Sequence, residues 1–157
     1  FGVIAFFSEI IPLSVIAPIL VFAGVSMIAQ TFASVPSAHF SAVILAMFPY
    51  LANYLQSKFA NAAPEALNAV SSAVIPLGQG AMFTALLWGA ILVFIIDNKF
   101  NKAAVTSVIA AVLAAIGLIH APSLSLMYNP QFVFGYLLIA VVFTFYHFAY
   151  KEESELD

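Results

Sequence analysis

The chain has 157 residues, of which 64% are hydrophobic and 7% are charged, and its formal net charge is -3. A soluble domain of this size needs more polar surface, so the composition excludes that class and predicts an all-α, polytopic helical membrane protein with lipid as a partner. Arginine is absent and there is no basic patch, which argues against nucleic acid as a partner. Cysteine is also absent, so the sequence excludes disulfides and thiolate metal sites.

The hydrophobic runs predict about five transmembrane helices, preceded by the end of one more helix that stops before Pro12. The chain begins inside a hydrophobic run at Phe1, so we expect a piece of a longer protein. The charged residues after Tyr150 predict a solvated tail. The predicted spans, in chain order, are 16–33, 38–59, 81–96, 103–119 and 131–150.

The first span carries a stripe of small and polar residues opposite a bulky stripe. Spacings of three and four place each stripe on one helix face. In a bilayer the bulky face is expected toward lipid and the small face toward protein, where the Gln30 amide finds a partner. Two interpretations stay open, a helix-packing seam and a wall of a transport path. The first stripe contains Ile19, Ala23, Ser26, Gln30 and Ala33, and the second contains Val21, Val25, Ile28 and Phe32.

The third and fourth spans also have small-residue seams, which permit close helix packing. Trp88 lies in the middle of the third span, so we predict a packing role and a partner for its indole N–H. The seams are Ala81, Ala85 and Gly89, then Ala103, Ser107, Ala110, Ala114 and Gly117; the bulky face of the fourth span is Val105, Ile109, Val112 and Ile116.

Proline and glycine positions predict the breaks between spans. Pro49 predicts a kink inside the second span. Residues 64–74 are predicted to form a short helix on the membrane surface, and Pro76 to Gly80 break the chain before the third span. Asn129 followed by Pro130 predicts the start of the fifth span.

The lysines predict the orientation. The connections that alternate to one side hold Lys99, Lys102 and Lys151, and the other side holds Lys58. Lysine bias marks the cytoplasmic side, so the C-terminus is predicted to be cytoplasmic and the 60–80 loop external.

No catalytic constellation is apparent. His39, His120 and His147 come at span ends, with no acid at metal-ligand spacing, so we expect no enzyme, metal site or cofactor. Glu9 is read as an interfacial carboxylate, with a buried proton-relay acid as the alternative.

Several short motifs resemble the late part of the xanthine/uracil permease superfamily, nearest its adenine/guanine/hypoxanthine branch. They are Phe6-Phe7-Ser8, Ile11-Pro12, the run APILVFAGVSM at 17–27, Met47-Phe48-Pro49 and Gly78-Gln79-Gly80-Ala81. Glu9 stands where the family pattern has proline, and the chain continues past the family's usual end.

The resemblance implies part of a fourteen-helix, inverted-repeat transporter. Residues 1–97 would be gate-domain helices, 98–150 an added hairpin and 151–157 a cytoplasmic tail. The implied partners are the core domain upstream, a nucleobase through the full-length protein, and a second copy of the chain. The family's nucleobase-binding acids precede Phe1, so no substrate-binding residue is expected here. The implied core-facing residues of the gate are Ala23, Gly24, Ser26 and Gln30.

The resemblance therefore implies the C-terminal part of a secondary-active nucleobase permease in the cell membrane. A small structural subunit of a membrane complex, without transport activity of its own, is the alternative that the small-residue seams suit equally well.

Overall fold

The computed structural model describes residues 13–62 and 73–154, and within these ranges the secondary structure is helical, without a strand. The all-α prediction is therefore confirmed for this part of the chain. Six α-helices follow one another, and a 3-10 helix at Ser37–His39 precedes the second. They are α1 (Leu13–Ser34), α2 (Phe40–Ala62), α3 (Val74–Gly78), α4 (Ala81–Ile96), α5 (Phe100–Ala115) and α6 (Pro130–Ser154).

Within residues 13–62 and 73–154, three stretches are long and apolar enough to cross a membrane and so indicate a membrane location: Ile16–Ser34, Ser37–Phe59 and Pro130–Ala149. Helices α4 and α5 are also apolar but have 16 residues each. At 1.5 Å per residue each is about 24 Å long, shorter than a hydrocarbon core of about 30 Å. Of the five spans predicted from the sequence, three thus reach full length in the described part of the chain.

Helix α5 ends four residues before its predicted end because a Schellman motif stops it at Ala115. Gly117 adopts φ 77, the amide of Leu118 bonds the Leu113 carbonyl at 2.9 Å, and the Gly117 amide bonds the Ala114 carbonyl at 3.1 Å. A Cβ on Gly117 would lie 2.6 Å from the Ser125 nitrogen, so the turn also needs the missing side chain.

The same motif ends α4, with asparagine in place of glycine. Asn98 has φ 56, and the amide of Lys99 bonds the Phe94 carbonyl at 2.8 Å. Lys99 Nζ pairs with Asp97 Oδ2 at 2.8 Å on the surface of this turn. The tight connection makes α4 and α5 an antiparallel pair, and α6 packs against α5.

The predicted small-residue seam is the buried face of α5. Ala103, Ser107, Ala110 and Ala114 are at most 3% exposed, whereas the bulky residues of the opposite face are 40–55% exposed. On α4, Ala81 and Ala85 are buried, and a Cβ on Gly89 would lie 3.4 Å from the Cβ of Ala46 in α2. Both seams are confirmed as helix-packing surfaces except at Gly117, which was predicted to continue the second seam and instead lies in the turn after α5. The core they help to form contains Ala110, Ala111, Ala114, Ile119, Val133 and Tyr136.

The chain divides into two compact units, Phe1–Phe40 and Ser41–Asp157. In the first unit the Phe32 and Phe40 rings meet edge to face, with centroids 5.0 Å apart. In the second unit α2 runs on to Ala62, and Pro49 inside this helix is fully buried. Residues 64–72 of the predicted surface helix lie outside the described residues, as does the end of the helix before Pro12.

Candidate functional site

The predicted gate-facing residues lie on α1, in the first unit. Ala23 and Ser26 are half-buried, while Gly24 and Gln30 are exposed. A Cβ built on Gly24 would meet nothing within 4 Å. Their shared face follows from their spacing on one helix, and their role as a gate stays a prediction.

Buried polar chemistry in the described part of the chain centres on His120, in the second unit. His120 is 1% exposed and shares this burial with Thr84 and Ser107. The hydroxyls of Thr84 and Ser107 donate to the carbonyls of Gly80 and Ala103, four residues earlier along the chain. His120, by contrast, contacts segments distant in sequence.

The backbone of His120 is held from two sides. The Schellman turn at Gly117 reverses the chain, and His120 itself adopts φ 61, in the left-handed region. Its amide donates to the Gln79 carbonyl at 3.0 Å, and its carbonyl accepts a hydrogen bond from Asn129 Nδ2. The Asn129 side chain, directly before α6, thus anchors the preceding loop.

The imidazole ring joins α3 to α6. His120 Nδ1 lies 3.1 Å from the Pro76 carbonyl oxygen, and Nε2 lies 2.9 Å from the Tyr136 hydroxyl. The indole Nε1–H of Trp88 donates to the same hydroxyl at 2.8 Å. We call these four groups (the Pro76 carbonyl, His120, Tyr136 and Trp88) the His120 junction.

The donor and acceptor of each hydrogen bond in the His120 junction can be assigned. A carbonyl accepts only, so Nδ1 carries the proton and donates to Pro76. In a neutral ring Nε2 is then an acceptor, and the Tyr136 hydroxyl donates to it. The hydroxyl oxygen in turn accepts from Trp88, whose indole can only donate. Each polar group of the junction is therefore satisfied when His120 is neutral.

Aromatic packing keeps His120 in that form. The ring stacks on Phe132 with centroids 4.1 Å apart and an interplanar angle of 14°. Burial lowers the pKa of His120 below its ordinary value of 6.5, and the hydrogen bond to the Pro76 carbonyl opposes this only in part.

A polar cavity of about 480 Å³ adjoins the junction. Gly78 forms part of its wall because it packs directly on α2. A Cβ on Gly78 would lie 2.9 Å from the backbone nitrogen of Asn53, and Asn53 Nδ2 donates to the Gly78 carbonyl at 2.9 Å. The Oε1 atom of Gln79 is buried and has no hydrogen-bond partner among the described residues. The lining residues are Asn53, Gln56, Ser57, Gly78, Gln79, Gly80, Ala121 and Pro122.

The chemistry open to this region is limited to hydrogen bonding and proton uptake. Both ring nitrogens of His120 are engaged, so neither is free to bind a metal. No group of three His, Cys, Asp or Glu side chains suited to a metal ion occurs among the residues that the structure describes. The described residues that line the cavity offer amides and one hydroxyl and include no charged side chain.

The sequence indicated one half of this arrangement. Trp88 was predicted to pack in mid-span and to need a partner for its N–H, and its bond to Tyr136 confirms this. The sequence placed His120 only at the exit of a span. Its partners lie 44 and 16 residues away, and no local pattern links residues at such separations.

No protein-family model, curated protein or solved structure matches the chain. The resemblance to the permease superfamily therefore rests on the short motifs quoted above and stays a prediction.

Proposed function

We propose that the chain is the C-terminal part of a secondary-active membrane transporter, a nucleobase permease of the xanthine/uracil type. Helices α1, α2 and α4 would be gate-domain helices of an inverted-repeat fold, and α5 and α6 an added hairpin. The C-terminus would be cytoplasmic in a multi-pass cell-membrane protein. Substrate binding would belong to a core domain upstream of Phe1.

The observation that carries the proposal is the fit between the resembling motifs and the helix bounds. The run 17–27 lies entirely within α1, and the Met47-Phe48-Pro49 motif lies inside α2. Helix α4 begins at Ala81, directly after Gly78-Gln79-Gly80, where the resemblance expects a helix start. The apolar, membrane-length helices supply the setting that a transporter needs.

Uptake by the full-length protein tests the proposal. The complete reading frame, expressed in cells without their own nucleobase uptake, should accumulate labelled adenine, hypoxanthine, xanthine or uracil. The 157-residue chain alone, reconstituted in liposomes, should give no uptake above empty vesicles, because the core helices are missing. Membrane-inserted full-length protein that takes up none of the four would contradict the proposal.

The structural-subunit alternative is favoured by the small-residue seams, which suit assembly with other helices as well as packing within one transporter. The reading frame upstream of Phe1 distinguishes the two. A permease requires further apolar helices carrying intramembrane acids, whereas a small subunit requires a start codon close by.

A further inference from the structure

The His120 junction is complete in one protonation state only. When His120 takes up a second proton, both ring nitrogens become donors. Nε2–H then points at the Tyr136 oxygen, and the Tyr136 hydroxyl proton, which had been donated to Nε2, loses its acceptor. A buried donor without a partner and a buried cation without a counter-ion are both unfavourable.

Among the residues that the structure describes, the segments packed on His120 offer no negative charge to compensate for that proton. The segments packed on His120, namely residues 74–80, 117–129 and 132–136, contain no carboxylate. Their other titratable side chains are Tyr136 itself and Tyr128, which is 55% exposed. Across the cavity on α2, Lys58 is exposed and lies 5.6 Å from the centre of the Tyr54 ring. From α4, Trp88 contacts the Tyr136 hydroxyl of the junction.

The junction also determines how the cavity wall is held. The Pro76 carbonyl is linked to Tyr136 of α6 through the ring of His120, and the Gln79 carbonyl is linked to the loop through the His120 backbone amide. Gly78, Gln79 and Gly80 from this segment, and Ala121 next to His120, line the cavity. Loss of the contact between the ring and Tyr136 therefore removes the link from this wall to α6, while the hydrogen bond from Asn53 to Gly78 still holds the wall on α2.

We propose that the His120 junction is a pH-sensitive switch: neutral His120 links Pro76 to Tyr136 of α6, and protonation breaks the Tyr136 contact, so that the cavity wall formed by residues 78–80 separates from α6. The switch concerns the packing of the second unit and stands whether or not the full-length protein transports nucleobases. It is closed above the ordinary histidine pKa and opens as the pH falls below it, because burial favours the neutral ring in the folded state.

Trp88 is the single tryptophan of the chain, so its fluorescence reports the junction directly. Emission of the purified chain in lipid nanodiscs is recorded from about pH 8 to about pH 5, the range in which histidine titrates. We expect one reversible spectral transition below the ordinary histidine pKa, with the coupled fraction falling about tenfold per pH unit beyond its midpoint.

Three variants assign the transition. His120→Asn removes the titrating ring with a residue that tolerates the left-handed conformation, and should abolish the transition. Tyr136→Phe cuts the link between Trp88 and His120 and should also abolish it. His147→Gln, a histidine elsewhere on α6, should retain it. A flat emission profile in the folded wild-type chain, or an unchanged transition in Tyr136→Phe, overturns the proposal even where His120→Asn does not fold.

Discussion

Trp88 of α4 and Tyr136 of α6 share a 2.8 Å hydrogen bond across 48 residues of sequence. Much of the surrounding helix surface is apolar and interchangeable, so side-chain packing alone specifies the register of one helix on another only weakly. A buried hydrogen bond forms only when its donor and acceptor lie at the same level along the two helices. Any other register of the helices leaves both groups unpaired and is destabilised. The bond therefore specifies how α4 and α6 meet, and it places the Tyr136 hydroxyl where His120 can accept from it.

Removing the Tyr136 hydroxyl should destabilise the chain more than its small change in volume suggests. Tyr136→Phe leaves the Trp88 N–H and His120 Nε2 without their partner in a buried site. The expected loss is about 1–3 kcal/mol in the free energy of unfolding, measured by denaturant titration in detergent micelles at neutral pH. Tyr128→Phe, at an exposed tyrosine, is the matched control and should change it by less than about 0.5 kcal/mol. Equal effects of the two substitutions would count against a buried junction.

The tautomer of His120 can be read directly. With 15N-labelled histidine at about pH 8, His120 should show a protonated Nδ1 and a bare Nε2, because the Pro76 carbonyl can only accept. His120→Asn assigns the resonance. A proton on Nε2 at that pH would reverse the donor order that we infer for the junction.

Two glycines provide a steric test of the packing of α3 on α2. A Cβ on Gly78 would lie 2.9 Å from backbone atoms of Asn53, which cannot move aside independently, so Gly78→Ala should cost about 1–3 kcal/mol of stability. A Cβ on Gly135 in α6 would meet nothing within 4 Å, so Gly135→Ala should be neutral or stabilise by about 0.5–1 kcal/mol. Thermal unfolding midpoints of both variants provide the comparison, and a harmless Gly78→Ala would contradict the close contact.

The proposed gate face on α1 predicts a contrast between neighbouring residues. In the full-length protein, Ser26→Leu and Gln30→Leu should lower or alter nucleobase uptake while expression stays near normal, because they add bulk or remove an amide on the face assigned to the core. Val25→Leu, at a residue 61% exposed on the opposite stripe, should be nearly silent. If all three variants behave alike, the stripe is an ordinary packing surface. If only Val25→Leu lowers uptake, the two faces of α1 were assigned the wrong way round.

The orientation deduced from lysine bias can be measured with single cysteines, since the chain has none of its own. Asn101, in the first turn of α5 next to the α4–α5 connection, and Ser123, between α5 and α6, are both exposed. A membrane-impermeant thiol reagent added to intact cells should label Ser123→Cys and leave Asn101→Cys unmodified. Labelling of Asn101→Cys alone would falsify the predicted topology.

The sequence by itself determined the class of protein and much of the helix packing. In water, so many long apolar runs would leave a large apolar surface exposed. A helical membrane protein therefore follows from the composition. The seam from Ala103 to Ala114 could be predicted because small residues recur there at helical spacing. Helix α4 has the bounds 81–96 that its flanking turns predicted. These properties depend on neighbours within a few residues.

The tertiary structure alone decided where α5 ends and what His120 does. Gly117 adopts a left-handed conformation that ends the helix, and the turn brings residues 118–120 to residues 76–80. The hydropathy of the sequence does not predict this contact. His120 looked like an end-of-span histidine because its partners, the Pro76 carbonyl and Tyr136, come from separate helices. A hydrogen bond forms between groups that the fold brings close together. A local sequence pattern shows that a buried donor needs an acceptor, but it does not show which distant residue supplies that acceptor.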